Sequence, residues 1–215
     1  MASASTTVGL GCMRLDSAAV IRAALDAGVR LLDTAHAYGP SEALVAEALR
    51  GWPHERPTVV TKGGLHREGE LWKSDARAGT LRAQAEQSLR TLGRIDVYLL
   101  HAPDPAVALS TSVRALAKLK DEGLVGSIGL SNVSLPQLKR ALELAPIAAV
   151  QVALGAFHQG PFRDGVVAHC LRHGIAVQAH TPLGGLKRAK SISKNATLAR
   201  IAARHGATAQ RVVFS

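Results

Sequence analysis

Asp33, Tyr38, Lys62 and His101 bring a carboxylate, a phenol, an ammonium and an imidazole to this chain. Groups of these four kinds can give, take or steady a proton, which is the equipment of general acid-base catalysis. Their surroundings set them apart from scattered surface polarity. Asp33 ends the apolar run of "LLDTAHAYG", with Tyr38 five residues further on; Lys62 ends "VVTK" and His101 ends "YLLH". Ser131-Asn132 after "IGL", Gln151 after "AAV" and His180 after "IAVQA" close apolar runs in the same way. Taken singly, these residues also read as a turn cap, a surface lysine or a core histidine. Six polar sets in succession point instead to a site lining one face.

The segments that carry them alternate in type. Strands are predicted at "TTVGLG", "VRLLD", "PTVVTK", "IDVYLLH", "GSIGLSN", "AAVQ" and "IAVQAH". Between them lie amphipathic segments with helix start and stop signals. The first runs from an N-cap at Asp16 to Ala27, closed by Gly28, and the second from Ser41 and Glu42 to near Gly51. A polar excursion from Gly63 to Asp75 precedes a helix to Leu92, stopped by Gly93. Further helices are predicted from Leu109 to Asp121, from around Pro136, from Asp164 to His173 before Gly174, and from Leu198 to His205. Such alternation implies a parallel sheet with right-handed crossovers. An open doubly wound sheet would carry G-x-G-x-x-G at its first turn, but Gly9-Leu10-Gly11 continues with Cys, Met and Arg. Polar groups at the carboxyl ends of six successive strands are the layout of a (β/α)8 TIM barrel, predicted here as a single α/β domain over residues 1–215.

Composition narrows the function classes. With 215 residues and 47% hydrophobic content, the chain can bury one sizeable core. At 3% aromatics that core must be built from Leu, Val, Ile and Ala. Two cysteines, Cys12 and Cys170, cannot form a disulfide framework, so a reducing, cytoplasmic setting is expected. "MASASTTVGLG" lacks a basic region ahead of an apolar stretch, so no secretory signal is expected. "LAPIAAVQVALGAF" is too short and interrupted for a membrane span. The formal charge of +10 is scattered, densest at Lys187-Arg188-Ala189-Lys190, with no aromatic platform for bases, so a nucleic-acid partner is not expected. His169 and His173 flank Cys170 without a third ligand, so no metal is expected. Cys12 has no base placed for it and reads as lining.

Asp33-Thr34-Ala35-x-x-Tyr38-Gly39, the Lys62 of "VVTK", the His101 of "YLLHAPD" and the "IGLSN" of Ile128 to Asn132 together resemble the aldo-keto reductase family. The match runs in order from about Val8 to Ala209. The resemblance implies reduction of an aldehyde or ketone to an alcohol by hydride from NADPH. Reduction leaves an alkoxide that needs a proton. The resemblance gives that proton to Tyr38, whose acidity Lys62 would raise, with Asp33 holding Lys62 charged and His101 bonding the substrate oxygen. Ser131, Asn132 and Gln151 fall where the family holds the nicotinamide carboxamide. Thr181, Pro182, Leu183, Gly184 and Gly185 resemble the loop beside the pyrophosphate, and His180 stands where the family often has a stacking aromatic. Trp72, in the variable loop "HREGELWKS", is the candidate wall of the substrate pocket.

The chain departs from the family in "VALGAF" after Gln151 and in stopping at "RVVFS", short of an eighth strand, the final helices and the family's basic contacts to the 2′-phosphate. The expectation is that self-association covers the edge between first and seventh strands, with a folded-back tail or a water-filled opening as alternatives. Two other functional readings stay open on the same residues. One is an acid-base enzyme without a redox step, such as a lyase, isomerase or cyclase; the other is a non-catalytic binding subunit.

Overall fold

Apolar runs and glycine stops set the order of elements. The structure is a computed structural model that describes residues 7–214. Thr6 of the first predicted strand, the start of the stretch read for a leader, and Ser215 lie outside the described residues. The elements are β1 (Leu10–Gly11), α1 (Ala18–Asp26), β2 (Leu31–Asp33), α2 (Ser41–Leu49) and β3 (Thr58–Gly63). A hairpin of β4 (Leu65–Glu68) and β5 (Leu71–Ser74) follows, then α3 (Ala78–Leu92), β6 (Val97–Leu100), α4 (Leu109–Asp121), β7 (Ser127–Ser131) and α5 (Leu135–Leu142). The last third holds β8 (Ala149–Ala153), α6 (Gly160–Arg163), α7 (Val166–Arg172), β9 (Ala176–His180), α8 (Leu186–Ser191), a short 3-10 turn, α9 (Ala196–Arg204) and α10 (Ala209–Phe214).

Seven parallel strands form one sheet in the order β1-β2-β3-β6-β7-β8-β9, and β4 and β5 pair only with each other. Helices cover the outer face, giving seven of the eight strands of a (β/α)8 barrel. Side chains alternate between the two faces of a strand. Leu32, Val59, Tyr98, Leu100, Ile128, Leu130 and Val150 therefore point outward and pack with Leu25, Leu81, Leu116 and Leu138 of the helices. Each such side chain, fully buried, contributes roughly 1.5–3 kcal/mol. The alternate residues Leu31, Val60, Val97, Leu99 and Ala149 form a separate inner cluster. Between Leu99 and Ala149 there is no room for another side chain. A Cβ on Gly129 would come within 2.5 Å of Leu99 Cδ2 and strike the Ala149 carbonyl oxygen.

The alternation that seats this inner cluster also fixes the next layer. Two residues beyond Leu31, Val60, Leu99, Gly129 and Ala149 stand Asp33, Lys62, His101, Ser131 and Gln151. His101 follows the last residue of β6 and continues the ladder, its N–H donating to the Gly63 carbonyl at 2.8 Å. One face of one sheet thus collects residues scattered over more than a hundred positions.

Several expectations need correction. Helix α1 is capped by Ser17, not Asp16: Ser17 is extended and its hydroxyl accepts from the Ala19 N–H at 3.1 Å. Ser41 begins α2 as expected, and its hydroxyl bonds the Cys12 carbonyl at 3.1 Å and Thr34 Oγ1 at 2.7 Å. The polar excursion after Gly63 is the β4–β5 hairpin, turned by Gly69 at φ 60°. The helix expected from Asp164 to His173 is α7, which starts two residues later because Gly165 caps it at φ 79°, and the short α6 lies ahead of the expected start. The polar stretch before Leu198 holds α8 and the 3-10 turn, and the last helices gather around buried Ile192, Ala202 and Ala209. Among the described residues no strand joins β1 to β9.

Candidate active site

Lys62 is completely buried, so its charge requires partners. It has two: Nζ donates to Asp33 Oδ1 at 2.7 Å and to the Thr34 carbonyl at 2.8 Å. The neighbouring strand supplies both, since β2 runs beside β3 and ends at Asp33. Gln151 crosses from β8 to the same carboxylate, its Nε2 donating to Asp33 Oδ1 at 2.7 Å. The same Nε2 donates to Gln178 Oε1 on β9 at 3.0 Å. One chain of bonds therefore spans Lys62, Asp33, Gln151 and Gln178. With both Nε2 hydrogens engaged, Oε1 of Gln151 is the atom free to accept from a ligand.

Tyr38 stands above this layer in the turn after β2. Lys62 Nζ lies 5.1 Å from its ring centroid, and its hydroxyl is 3.4 Å from His101 Nε2. Trp72 of β5 meets Tyr38 and His101 edge to face, with centroids 6.1 and 6.0 Å apart. These three rings surround the point where Tyr38 Oη and His101 Nε2 converge.

Burial, followed by the Asp33 carboxylate, pushes the Tyr38 phenol above its ordinary range, so the hydroxyl keeps its proton. The sequence reading expected Lys62 to lower it. In this state the Lys62 ammonium is already matched by Asp33, and burial pulls Lys62 below the usual lysine value while Asp33 partly restores it. His101 is pulled down to about 3 by burial, then by Lys62 and His180, and is neutral. Cys12, whose N–H donates to the Asp33 carbonyl, is pushed up to about 12 by burial and then by Asp33, and its thiol is packed in the cluster between strands and helices.

Asn132 and Thr181 both hold φ of 56°, left-handed backbone in residues that carry a side chain. Such strain, about 1–3 kcal/mol per residue, persists only where surrounding contacts impose it. Here His180 joins them, with Nε2 3.1 Å from Asn132 Oδ1 and Nδ1 3.0 Å from Thr181 Oγ1. Asn132 Nδ2 in turn donates to the His101 carbonyl and to Ser131 Oγ, each at 3.1 Å. That assigns Oδ1 as acceptor and His180 Nε2–H as its donor, and burial, followed by Lys62, pulls His180 below the usual histidine range. His180, which stands where the family often has a stacking aromatic, is hydrogen-bonded through both ring nitrogens.

The loop from Thr181 to Gly185 closes the β9 side. Pro182 sits against Gly155, where an added Cβ would lie 2.8 Å from Pro182 Cα, and Leu183 is half-buried behind it. Gly184 and Gly185 have φ of 79° and 85°. A Cβ on Gly184 would meet Arg188 and Phe157 within 3 Å, while at Gly185 nothing lies nearer than Thr181 Cγ2 at 3.9 Å. Backbone is therefore open to a ligand at Gly185. Ser131, Asn132 and Gln151 offer donors and acceptors side by side, the set that a carboxamide requires.

Of the residues singled out by sequence, Asp33, Lys62 and Gln151 are joined in one set of bonds, Tyr38, His101 and Trp72 meet above it, and Ser131, Asn132, His180 and Thr181 are joined in a second set that reaches the His101 carbonyl. Gln178 and the Thr34 carbonyl were missed. Gln178 lies two residues before His180, and its register opposite Gln151 was the available signal. His169 and His173, on α7 and at its end, stack on each other at 4.1 Å, away from the layer.

With this geometry in hand, a model described as the aldo/keto reductase family matches residues 7–214. The chain is similar to a thermostable aldo-keto reductase in complex with the inhibitor epalrestat, at 28% identity and a TM-score of 0.80, over 95% of this chain and 78% of that one. It is similar to a glycerol dehydrogenase from Gluconobacter oxydans at 27% identity and TM-score 0.77, over 94% and 75%. An aldo/keto reductase from Klebsiella pneumoniae in complex with NADP and acetate matches at 26% identity and TM-score 0.77, over 95% and 74%.

Proposed function

The chain belongs to the aldo-keto reductase family of oxidoreductases, and from that premise we propose that it reduces an aldehyde or ketone to an alcohol with hydride from NADPH, Tyr38 giving the proton. The observation that carries this reading is the pairing of a buried Lys62–Asp33 ion pair with the Tyr38 and His101 polar atoms 3.4 Å apart above it. A carbonyl oxygen between those two atoms meets a phenol held in its protonated form and an imidazole held neutral. As hydride reaches carbon and negative charge grows on oxygen, Tyr38 Oη gives up its proton. Its developing phenolate then faces the Lys62 ammonium, an attraction that grows only as the transition state forms. Asp33 keeps Lys62 charged in a buried site, and the Thr34 carbonyl aims it.

The donor set fits a nicotinamide dinucleotide, which when bound supplies the hydride. Ser131, Asn132 and Gln151 would hold its carboxamide, His180 would fix Asn132, and Thr181, Pro182, Leu183, Gly184 and Gly185 would lie along its phosphates. NADP bound in the Klebsiella pneumoniae relative supports NADPH as the form used here. Trp72 is proposed as the pocket wall, on its contacts to Tyr38 and His101. Self-association across the edges of β1 and β9 and a cytoplasmic setting belong to the same proposal. The free, buried thiols of Cys12 and Cys170 support that setting. Among the described residues no helix is long and apolar enough to cross a membrane.

Tyr38→Phe tests the assignment. Loss of a general acid should lower kcat about 10²–10⁴-fold, while NADPH binding followed by fluorescence stays near wild type. A Phe variant that turns over normally would falsify the proton-donor role. Failure of the wild-type chain to bind NADPH, with proton exchange on a carbonyl substrate retained, would favour the lyase or isomerase reading.

A further inference from the structure

The β4–β5 hairpin stands at the mouth of the site outside the barrel sheet, and its two faces differ. Cross-strand partners in an antiparallel pair point to the same side. His66 pairs with Lys73 and Glu68 with Leu71, so these four share a face, and there Glu68 binds both Lys73 and His66. Arg67 pairs with Trp72 and shares the opposite face. That face looks into the site, because Trp72 meets Tyr38 and His101 edge to face.

The Arg67 guanidinium carbon sits over the Trp72 indole, 5.3 Å from the ring centroid. Stacking on an aromatic face orients the guanidinium and leaves its edge N–H donors outward. Among the described residues no carboxylate is within ion-pair distance of it, since Glu68, the hairpin's paired acid, is on the other face and already holds Lys73 and His66. The other cation of the site cannot bind a substrate anion, because Lys62 is buried and matched by Asp33. A guanidinium poised one indole away from the reacting atoms, unpaired and preoriented, is built to receive a planar or tetrahedral oxyanion.

We propose that Arg67 selects carbonyl substrates that carry a second, anionic group, a carboxylate or a phosphate, several bonds away from the carbonyl carbon. This inference rests on the reductase reading given above. The carbonyl oxygen sits between Tyr38 and His101, the connecting chain lies along Trp72, and the anion reaches the Arg67 fork. Trp72 thus has two tasks: it forms the wall and it holds the arginine. The hairpin turn at Gly69-Glu70 faces solvent, so a charged group can remain partly hydrated beside Arg67.

The test compares kcat/KM for matched substrates with the full chain and NADPH. One arm uses 4-carboxybenzaldehyde against benzaldehyde, and the other uses glyceraldehyde 3-phosphate against glyceraldehyde. The wild type should favour the anionic member of at least one pair, and the arm that responds identifies carboxylate or phosphate. A hydrogen-bonded charge pair of this kind is expected to change the anionic-to-neutral ratio roughly tenfold or more. Arg67→Gln should collapse that ratio and Arg67→Lys should restore part of it, since the charge returns without the fork. Because Arg67 is exposed, both variants should melt as the wild type does, and melting curves check this. Ratios equal in wild type and Arg67→Gln, with all four aldehydes reduced, would overturn the role of Arg67 and leave the reductase reading intact. Failure of a folded wild type to reduce any of the four would overturn that reading and this inference with it.

Discussion

Replacing Lys62 by methionine removes one cation and little volume, so its effect reports the buried pair. The ammonium it removes is fully buried and donates to Asp33 Oδ1 and the Thr34 carbonyl at 2.7 and 2.8 Å. Methionine leaves Asp33 with Gln151 as its remaining donor and the Thr34 carbonyl without one. Breaking a buried ion pair by deleting one partner costs about 3–5 kcal/mol. The Asp33 side chain retains 21% exposure, so water offsets part of that and the loss should fall at the lower end. About 3 kcal/mol in a domain of this size lowers Tm by roughly 6–12 °C. Asp33→Asn should cost a similar amount, because it leaves a buried ammonium facing neutral acceptors. The double variant removes both charges and should lose clearly less than the two single losses added together. Urea and thermal melts at pH 7, followed by circular dichroism, give all three numbers. Additive losses would mean that Lys62 and Asp33 are not coupled, and the argument for a charged lysine under Tyr38 would fall.

Three further outcomes follow from the geometry. His101 titrates at about 3 in the folded protein against about 6.5 when unfolded, so the unfolded chain binds more protons between these values and stability must fall as pH drops through that window. His180 is shifted the same way. Urea midpoints measured from pH 7 to 4 should decline, and His101→Gln should flatten the decline; an unchanged slope would contradict a buried neutral His101. Gln178→Leu removes the acceptor that turns the Gln151 amide, so the dissociation constant for NADPH should rise several-fold with little change in Tm, and unaltered binding would remove Gln178 from the site. Gly129→Ala drives a methyl group against Leu99 and the Ala149 carbonyl, and overpacking of this kind should cost about 1–3 kcal/mol in a denaturant melt.

The sequence exposed the barrel and most of its polar layer for one reason: strand periodicity. A strand that ends on an inward position ends in the site, so Asp33, Lys62, His101, Ser131 and Gln151 were visible as polar closures of apolar runs. Glycine stops were equally legible, and Gly93 at φ 73° ends α3 where its position suggested. What stayed hidden had no local signal. Gln178 sits inside a strand whose neighbours are small, and a polar residue there reads as a solvent-facing position until its register with Gln151 is known. The Thr34 carbonyl has no side-chain signature at all. The hairpin was read as a loop because His66, Arg67, Glu68 and Lys73 make it polar, and only the cross-strand Lys73–Glu68 ion pair explains how those residues support two strands. Ser17 and Asp16 are both competent caps, and the backbone angle of Ser17, which sequence does not display, decided between them.

Among the described residues, strand β9 is laddered on one side only, to β8, while β3 and β6 are laddered on both. A strand with a single hydrogen-bonded neighbour opens at a lower free energy than one held from two sides. Gln178 and His180 belong to that strand, and Thr181 to Gly185 hang from its end. On the proposed reading, Lys62 and His101 are therefore carried by strands laddered on both sides, while Gln178, His180 and the Thr181 to Gly185 loop are carried by a strand laddered on one. Any ligand gripped by β9 and its loop must draw on part of its intrinsic binding energy to keep that region closed, and its apparent affinity is reduced by the fraction of molecules in which the region is open. On the proposed reading, affinity for the dinucleotide can therefore be raised without touching a contact atom, by whatever secures the edge of β9 that is unladdered among the described residues.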